Sequence, residues 1–388
     1  MNDPFPISPP RAWAEIDLAA LKNNLEVARA VSGGNLMAVV KAGAYGHGLE
    51  PIASAIASSN LAFFGVANVG EARRIRNAGV TTPIYLLGPT WTGEREEIVA
   101  KNWTPCLSSL EEAQHFNSIA TAAGQSLKVH LAVDTGMGRG GFSPDHLREC
   151  MPTLEHLTHL EIDGIGSHLP SADEDKEFTR GQIARFHAVL AELGTSRFKW
   201  RHLLNSAGML AYDRGECNLA RPGLMLYGVS PLPEFQQQLA TVMTLKARVT
   251  LVRWLPAGHG VSYGRQFVTP KPTRVATLGI GYGDGYPRHV SGNGADVSVH
   301  GRRCPILGRV TMDQIMVDVT DASEVSEGDE VEMFGSNIPV AELAKKADTI
   351  VWEIFTGITA RVTRCYLPET PEHPHSSSPP FTKTPDPP

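Results

Sequence analysis

No stretch of this chain approaches the roughly 18 uninterrupted apolar residues that a membrane-spanning helix requires, so no span is expected. Cysteine is scarce: five in 388 residues, far apart at Cys106, Cys150, Cys217, Cys304 and Cys365. An odd count with no C-x-x-C indicates neither a disulfide framework nor a zinc ribbon and fits a reducing compartment. The opening MNDPFPISPP has neither the cationic region nor the apolar core of a secretory leader, which makes a cytoplasmic location the expectation. Charge of one sign is not in excess either. A balance of 35 basic against 41 acidic residues, net -6, gives no basic face for duplex nucleic acid and no polybasic segment for an anionic membrane. A small-molecule partner is the better default. What is present is ordinary globular composition, 42% hydrophobic and 20% charged, in a length that suits two or three domains or one barrel with a companion.

Short apolar or β-branched runs alternate with amphipathic stretches from residue 10 to about 230, the signature of βα units on a parallel sheet. The runs at 36–41, 62–66, 83–87, 105–107, 128–134, 162–168, 202–205 and 219–221 read as eight buried strands, the count of a (β/α)8 barrel. Helical periodicity marks 69–78, 110–123 and 180–193 between them, and 18–30 ahead of the first barrel strand, with Asp17 placed to cap it. The strand at 12–16 has no barrel slot and suits the second domain. After about 235 the period changes to alternating runs cut by Gly, Pro and Asp turns, which predicts a mostly β domain with one short helix at 340–346. The expected division is a barrel over 11–235, a β domain over 236–367 and a disordered Pro/Ser-rich tail over 368–388, too poor in large apolar residues to offset its ordering entropy.

The C-terminal ends of barrel strands form one mouth, and that is where reactive groups collect. There the chain places Lys41, then Arg139 in DTGMGRGG, His168, Asn205 with Ser206, and Arg221 with Gly223. A lysine closing an apolar run can simply reach out to solvent; desolvated, it becomes a nucleophilic free amine able to form a Schiff base. Ser206, the Gly223 and Leu224 amides and the Tyr45 phenol are donors suited to a phosphate, sought after strands seven and eight. Other features read as ordinary structure. GIGYGDG lacks the G-x-G-x-x-G order and suits a turn, DTGMGRGG is not a P-loop, and His156 and His159 have no third ligand for a metal.

Eight segments taken together resemble the bacterial alanine racemase family: VVKAGAYGHG (39–48), DTGMGRGGF (134–142), GSHLPSAD (166–173), LNSAGML (204–210), ARPGLMLYG (220–228), GHGVSYGR (258–265), GIGYGDGYPR (279–288) and GRVTMDQ (308–314). The likeness runs from Arg11 to Tyr366. It implies a barrel carrying pyridoxal 5'-phosphate, a β domain, and a head-to-tail homodimer whose active sites are shared between subunits. By the same resemblance Lys41 holds the cofactor and is the base on one face of the substrate α-carbon, with Tyr263 the base on the other face, supplied by the partner. Arg221 meets the pyridine nitrogen, His168 orients Arg221, and Arg139 lies near the ring oxygen and the substrate carboxylate. Tyr45, Asn205, Ser206, Gly223 and Leu224 belong to cofactor binding, while Met312, Asp313 and Tyr282 shape the substrate site. The product, D-alanine, would enter peptidoglycan.

The departures are Gly43 for a common aspartate, Thr311 for a common cysteine, Ala132 for a lysine whose carbamate orients the arginine, and Trp352 where a phosphate-binding tyrosine is usual. Ala132 leaves Arg139 to another group or a bound anion. Serine or broader racemisation stays open, because a pocket built for a methyl group rejects an added hydroxyl by only about a hundredfold. A barrel-type decarboxylase is opposed by Arg221 and Thr311, and a non-enzymatic cofactor carrier by the long β domain.

Overall fold

The computed structural model describes residues 9–367, so the expectation for 368–388 lies outside the described residues. The described residues divide into two compact units, one of Ala20–Ala44 with Gly48–Ala240, the other of 9–19, Tyr45–His47 and 241–367.

The first unit is a parallel barrel. Its strands are β2 (Asn35–Val39), β3 (Phe63–Val66), β4 (Ile84–Leu86), β5 (Cys106–Leu107), β6 (Leu127–Ala132), β7 (Leu160–Gly166), β8 (Trp200–His202) and β9 (Leu219–Ala220), with β1 (Ala12–Asp17) preceding them in the other unit. They pair in the orders β4-β3-β2-β9 and β5-β6-β7-β8. Irregular backbone bonds close the two seams: Leu86 N donates to Thr104 O and Thr104 N to Ile84 O, both at 2.9 Å, while Asn218 N reaches Arg201 O at 3.0 Å and Arg221 N reaches Leu204 O at 2.9 Å. Met37, Phe63, Tyr85, Cys106 and Leu219 pack inside, the layered filling of such barrels.

Several barrel helices begin where a short polar side chain can accept an orphan amide. Asn68 accepts from Glu71 N ahead of Val69–Asn77, Ser109 from Glu112 N ahead of Leu110–Ala122, and Asp175 from Phe178 N ahead of Lys176–Leu193. The Asp175 cap starts that last helix four residues before the 180 expected from periodicity, since periodicity reads the apolar face and not the cap.

The second unit is built on an eight-stranded sheet. Along with β1 it uses β10 (Met243–Leu255), and β11 (Gly260–Val261) with β12 (Phe267–Val268) forms a separate hairpin. The rest are β13 (Thr273–Leu278), β14 (Asp296–Val299), β15 (Arg302–Leu307), β16 (Ile315–Asp318), β17 (Glu330–Phe334) and β18 (Thr363–Leu367), in the order β13-β16-β15-β14-β17-β10-β1-β18. The strand without a barrel slot, β1, lies antiparallel to β10 and parallel to β18. Helices occupy Val340–Lys346, as expected from the sequence, and Val351–Gly357, which contains Trp352 and was not expected.

Candidate active site

Lys41 does not close a strand as its sequence neighbours suggest. β2 stops at Val39, and Lys41 opens a turn in which Ala42 (φ 53°, ψ 47°), Gly43 (64°, 39°) and Ala44 (56°, 52°) are all left-handed. An apolar run shows where a strand lies but not where its backbone reverses hand. Left-handed conformation costs about 1–2 kcal/mol for each residue with a Cβ, so the turn must be held. Ala44 N donates to Val40 O and Gly48 N to Gly43 O, both at 2.8 Å. The Glu71 carboxylate accepts from Gly43 N at 3.4 Å and from Ala67 N at 2.9 Å. Burial first, then the Arg139 and Arg221 cations, holds the Lys41 amine below the ordinary lysine range, with Glu71 opposing in part. More of the amine is therefore the nucleophilic free base. Burial also pushes the Tyr45 phenol, at the end of the same turn, up to about 12.

Arg221 follows β9 and is 6% exposed. Its Nη1 donates to His202 Nδ1 at 2.6 Å, and its Nη2 to Ser167 O at 2.6 Å, Leu203 O at 3.2 Å and His168 Nδ1 at 3.1 Å. Among the described residues no carboxylate pairs with it. A guanidinium only donates, so His202 Nδ1 must be the accepting nitrogen and Nε2 must carry the proton. That Nε2 lies 2.9 Å from His130 Nδ1, which therefore accepts in turn. Two neutral imidazoles thus meet the buried cation, and a third stands behind His202. Burial, then Arg221, lowers His130 and His168 to about 3 and takes His202 well below the ordinary histidine value.

His168 was identified in the sequence, whereas His202 and His130 were not. The signal that marks them is in β7. A Cβ on Gly164 would sit 2.7 Å from the His130 ring, and one on Gly166 would sit 2.1 Å from that of His202. Alternate glycines on one face of a strand mark a close approach, and here they make room for imidazoles.

β8 ends at His202, earlier than the expected 205, because Asn205 leaves the strand to cap Ser206–Ala211 by accepting from Gly208 N. That turn brings Ser206 to Gly223, whose N–H donates to Ser206 Oγ at 3.0 Å. Leu224 begins a 3-10 turn, and its N–H meets no acceptor among the described residues. A hydroxyl, a glycine and an open amide make a cradle whose chemistry suits a phosphate. Arg139 is exposed on the loop after β6, in a turn fixed by Asp134 accepting from Gly136, Met137 and Gly138 amides. With Ala132 at the end of β6, Arg139 forms no hydrogen bond or ion pair among the described residues.

In the second unit Tyr263 is 69% exposed on a turn with Ser262 at φ 62° and Gly264 at φ 73°. Ser262 Oγ donates to Arg309 O at 2.6 Å and anchors that turn. Tyr282, 40% exposed, and Met312, 52% exposed, lie on adjoining loops joined by Tyr282 N to Thr311 O at 3.0 Å and Gly283 N to Met312 O at 2.9 Å. Asp313 pairs with Arg361 at 2.7 Å, which holds its carboxyl below the usual range.

A closed parallel barrel with a depressed lysine amine and a buried arginine at its mouth, followed by a β-rich unit, defines a two-domain barrel enzyme. The chain matches the family model described as alanine racemase, N-terminal domain, over residues 16–231 and the corresponding C-terminal domain over 242–366. It is 42% identical to an alanine racemase of Symbiobacterium thermophilum, covering 92% of this chain and 97% of that one, and 38% identical to one of Geobacter sulfurreducens, covering 93% and 98%. Among solved structures it superposes on alanine racemase from Streptomyces lavendulae with a TM-score of 0.86 and 36% identity, over 94% of this chain and 98% of that one. The alanine racemase of Bartonella henselae, solved with covalently bound pyridoxal phosphate, aligns at a TM-score of 0.85 and 31% identity, over 92% of this chain and 100% of that one. The chain belongs to the alanine racemase family.

Proposed function

We propose that the protein interconverts L-alanine and D-alanine with pyridoxal 5'-phosphate, by two bases acting on opposite faces of the substrate α-carbon. The observation that carries this reading is the pairing of a depressed Lys41 amine with an Arg221 cation that no carboxylate neutralises. Lys41 would hold the cofactor, Arg221 its ring nitrogen, and Tyr45, Ser206, Gly223 and Leu224 its phosphate, with Asn205 and His168 supporting them. When bound, the cofactor supplies an electron sink that acidifies the substrate Cα–H. The Lys41 amine takes or returns a proton on one face, and the partner subunit's Tyr263 does so on the other. A single base returning the proton to its own face would exchange hydrogen without inversion. Arg221 retains its protons, so it keeps the ring nitrogen it faces unprotonated and limits charge delocalisation into the ring, which disfavours transamination. Arg139 and the Met312 amide receive the substrate carboxylate, while Tyr282 and Asp313 line its entrance.

The shared site makes the working form a homodimer. Its D-alanine would supply peptidoglycan, from a cytoplasmic location. In keeping with a reducing compartment, the cysteines at 106, 150, 217, 304 and 365 are all free. No helix among the described residues is long and apolar enough to cross a membrane. The test is incubation of cofactor-loaded protein with L-alanine in deuterium oxide, following α-deuterium and the D/L ratio together, with L-serine in parallel. Deuterated D-alanine is expected. Exchange without inversion would remove Tyr263 from its role, and absence of exchange would overturn the activity.

A further inference from the structure

Asp284 is the carboxylate of the second unit's turn at 281–285: its side chain is 2% exposed, yet the site as assigned above gives it no part. Its two oxygens lie 3.0 and 3.1 Å from Arg11 Nη2, one of them lies 3.3 Å from Arg361 Nε, and the other accepts from Gly281 N at 2.9 Å. Both arginines also reach the facing loop. Arg11 Nη1 donates to Asp313 O at 3.0 Å, and Arg361 Nη2 donates to Asp313 Oδ1 at 2.7 Å. The loops approach so closely that a Cβ on Gly281 would stand 2.3 Å from Thr311 O and 2.4 Å from Met312 O. One buried anion, two forked cations and the paired backbone bonds at Tyr282 and Gly283 therefore lock the two loops into a single body. At its tip the Met312 N–H meets no acceptor among the described residues.

We propose that Asp284 is a positioning residue for substrate binding: through Arg11 and Arg361 it fixes the Met312 amide and the Tyr282 ring in the orientation in which they meet the substrate. This rests on the reading above that Met312 and Tyr282 face substrate. The geometry separates the two effects that loosening the clasp can have. The clasp touches neither proposed base, so its loss weakens substrate capture and leaves proton transfer largely intact.

The experiment compares the cofactor-loaded holoenzyme with Asp284→Asn, Arg361→Met and Met312→Pro, measuring KM and kcat for L-alanine, affinity for propionate as a carboxylate without an amine, and amide hydrogen exchange of the segments 281–285 and 310–314. Asp284→Asn should raise KM and the propionate Kd about tenfold with kcat within about twofold, and quicken exchange in both segments. Arg361→Met, which leaves Arg11 on the carboxylate, should give about a threefold rise with the same pattern. Met312→Pro, which removes the amide proton, should raise KM at least as much as Asp284→Asn. If Met312→Pro raises KM while Asp284→Asn and Arg361→Met leave it unchanged, the positioning role is overturned and the site reading stands. If Met312→Pro leaves KM unchanged, the site reading itself falls. A fall in kcat as large as the rise in KM in the Asp284 and Arg361 variants would mean that the clasp holds the whole site together and does not position the carboxylate-binding loops, and would overturn the proposal.

Discussion

Arg221 in the barrel and Asp284 in the β unit are both charges taken out of water, 6% and 2% exposed, and they are satisfied in opposite ways. Asp284 is over-compensated, with two guanidiniums and an amide on one carboxylate. Arg221 has only neutral acceptors: two carbonyl oxygens and two imidazole nitrogens. A buried charge needs hydrogen bonds and ordinarily also a partner of opposite sign. The carboxylate meets both conditions, so its charge is used up within the protein and it acts only through the loops it fixes. The arginine meets only the first, which leaves its field available to a group outside the protein.

The sharpest way to break that contrast is to remove each charge in turn. Arg221→Gln keeps a donor for His202 or a carbonyl and discards the unneutralised cation. Racemisation should fall roughly 10²- to 10³-fold, the size of losing a preorganised electrostatic contact, while the melting temperature stays level or rises. Steady-state rates and thermal melts on the same preparation decide it, and a marked fall in melting temperature would show that the cation is structural after all. Asp284→Asn should do the reverse in stability. It weakens charge-assisted bonds, and urea unfolding should show a loss of about 1.5–3 kcal/mol. An unchanged unfolding midpoint would contradict the clasp.

The imidazoles around Arg221 extend the comparison to pH. His130 and His168 fall to about 3 in the folded protein and His202 is held well below the ordinary histidine value. Below the ordinary histidine value near 6.5, the unfolded chain binds protons that the folded barrel refuses. Their contribution to stability is therefore intact above about 6.5 and is lost as pH falls toward 3, at about 1.4 kcal/mol per pH unit for each group. His130→Asn supplies an oxygen where Nδ1 accepts from His202 and has nothing to titrate. Its stability between pH 6 and 4 should decline less steeply by about one proton, measurable by urea titration across that range. An unaltered slope would mean that His130 is not held neutral.

Much of the barrel was legible because each strand is a short apolar run and several helices begin at Asn, Ser or Asp, both local signals. Arg221, His168, Ser206 and Gly223 were legible because strand ends converge on one mouth. The His202–His130 chain was not, since both residues sit inside strands where a histidine reads as ordinary filling. Only the glycines of β7, two residues apart, encode the space for them. The Asp284 clasp was equally hidden: Arg11 and Arg361 lie far from it in sequence, and nothing in GYGDG announces two guanidiniums. The end of β2 was misplaced because the reversal at Lys41 depends on backbone hand, which residue type signals weakly when the residue is alanine.

That reversal has a counterpart in the other unit, and the two provide the smallest but most discriminating test. The proposed bases both stand on left-handed backbone, Lys41 before Ala42 at φ 53° and Tyr263 after Ser262 at φ 62°. Ala42 is exposed, so Ala42→Gly gives up almost no packing while relieving a strained dihedral, and should stabilise the protein by about 1 kcal/mol. Ser262→Gly relieves a positive φ of a different kind, at ψ −175°, but discards the hydroxyl bond to Arg309 O, worth about 1 kcal/mol, which offsets that relief and should leave the variant near neutral. Urea unfolding of the two variants side by side resolves the difference. If both stabilise equally, the Ser262 hydroxyl contributes nothing to holding Tyr263; if neither does, the left-handed turns are not strained. A gain from Ala42→Gly accompanied by slower racemisation would show that the strain at Lys41 serves to aim its amine.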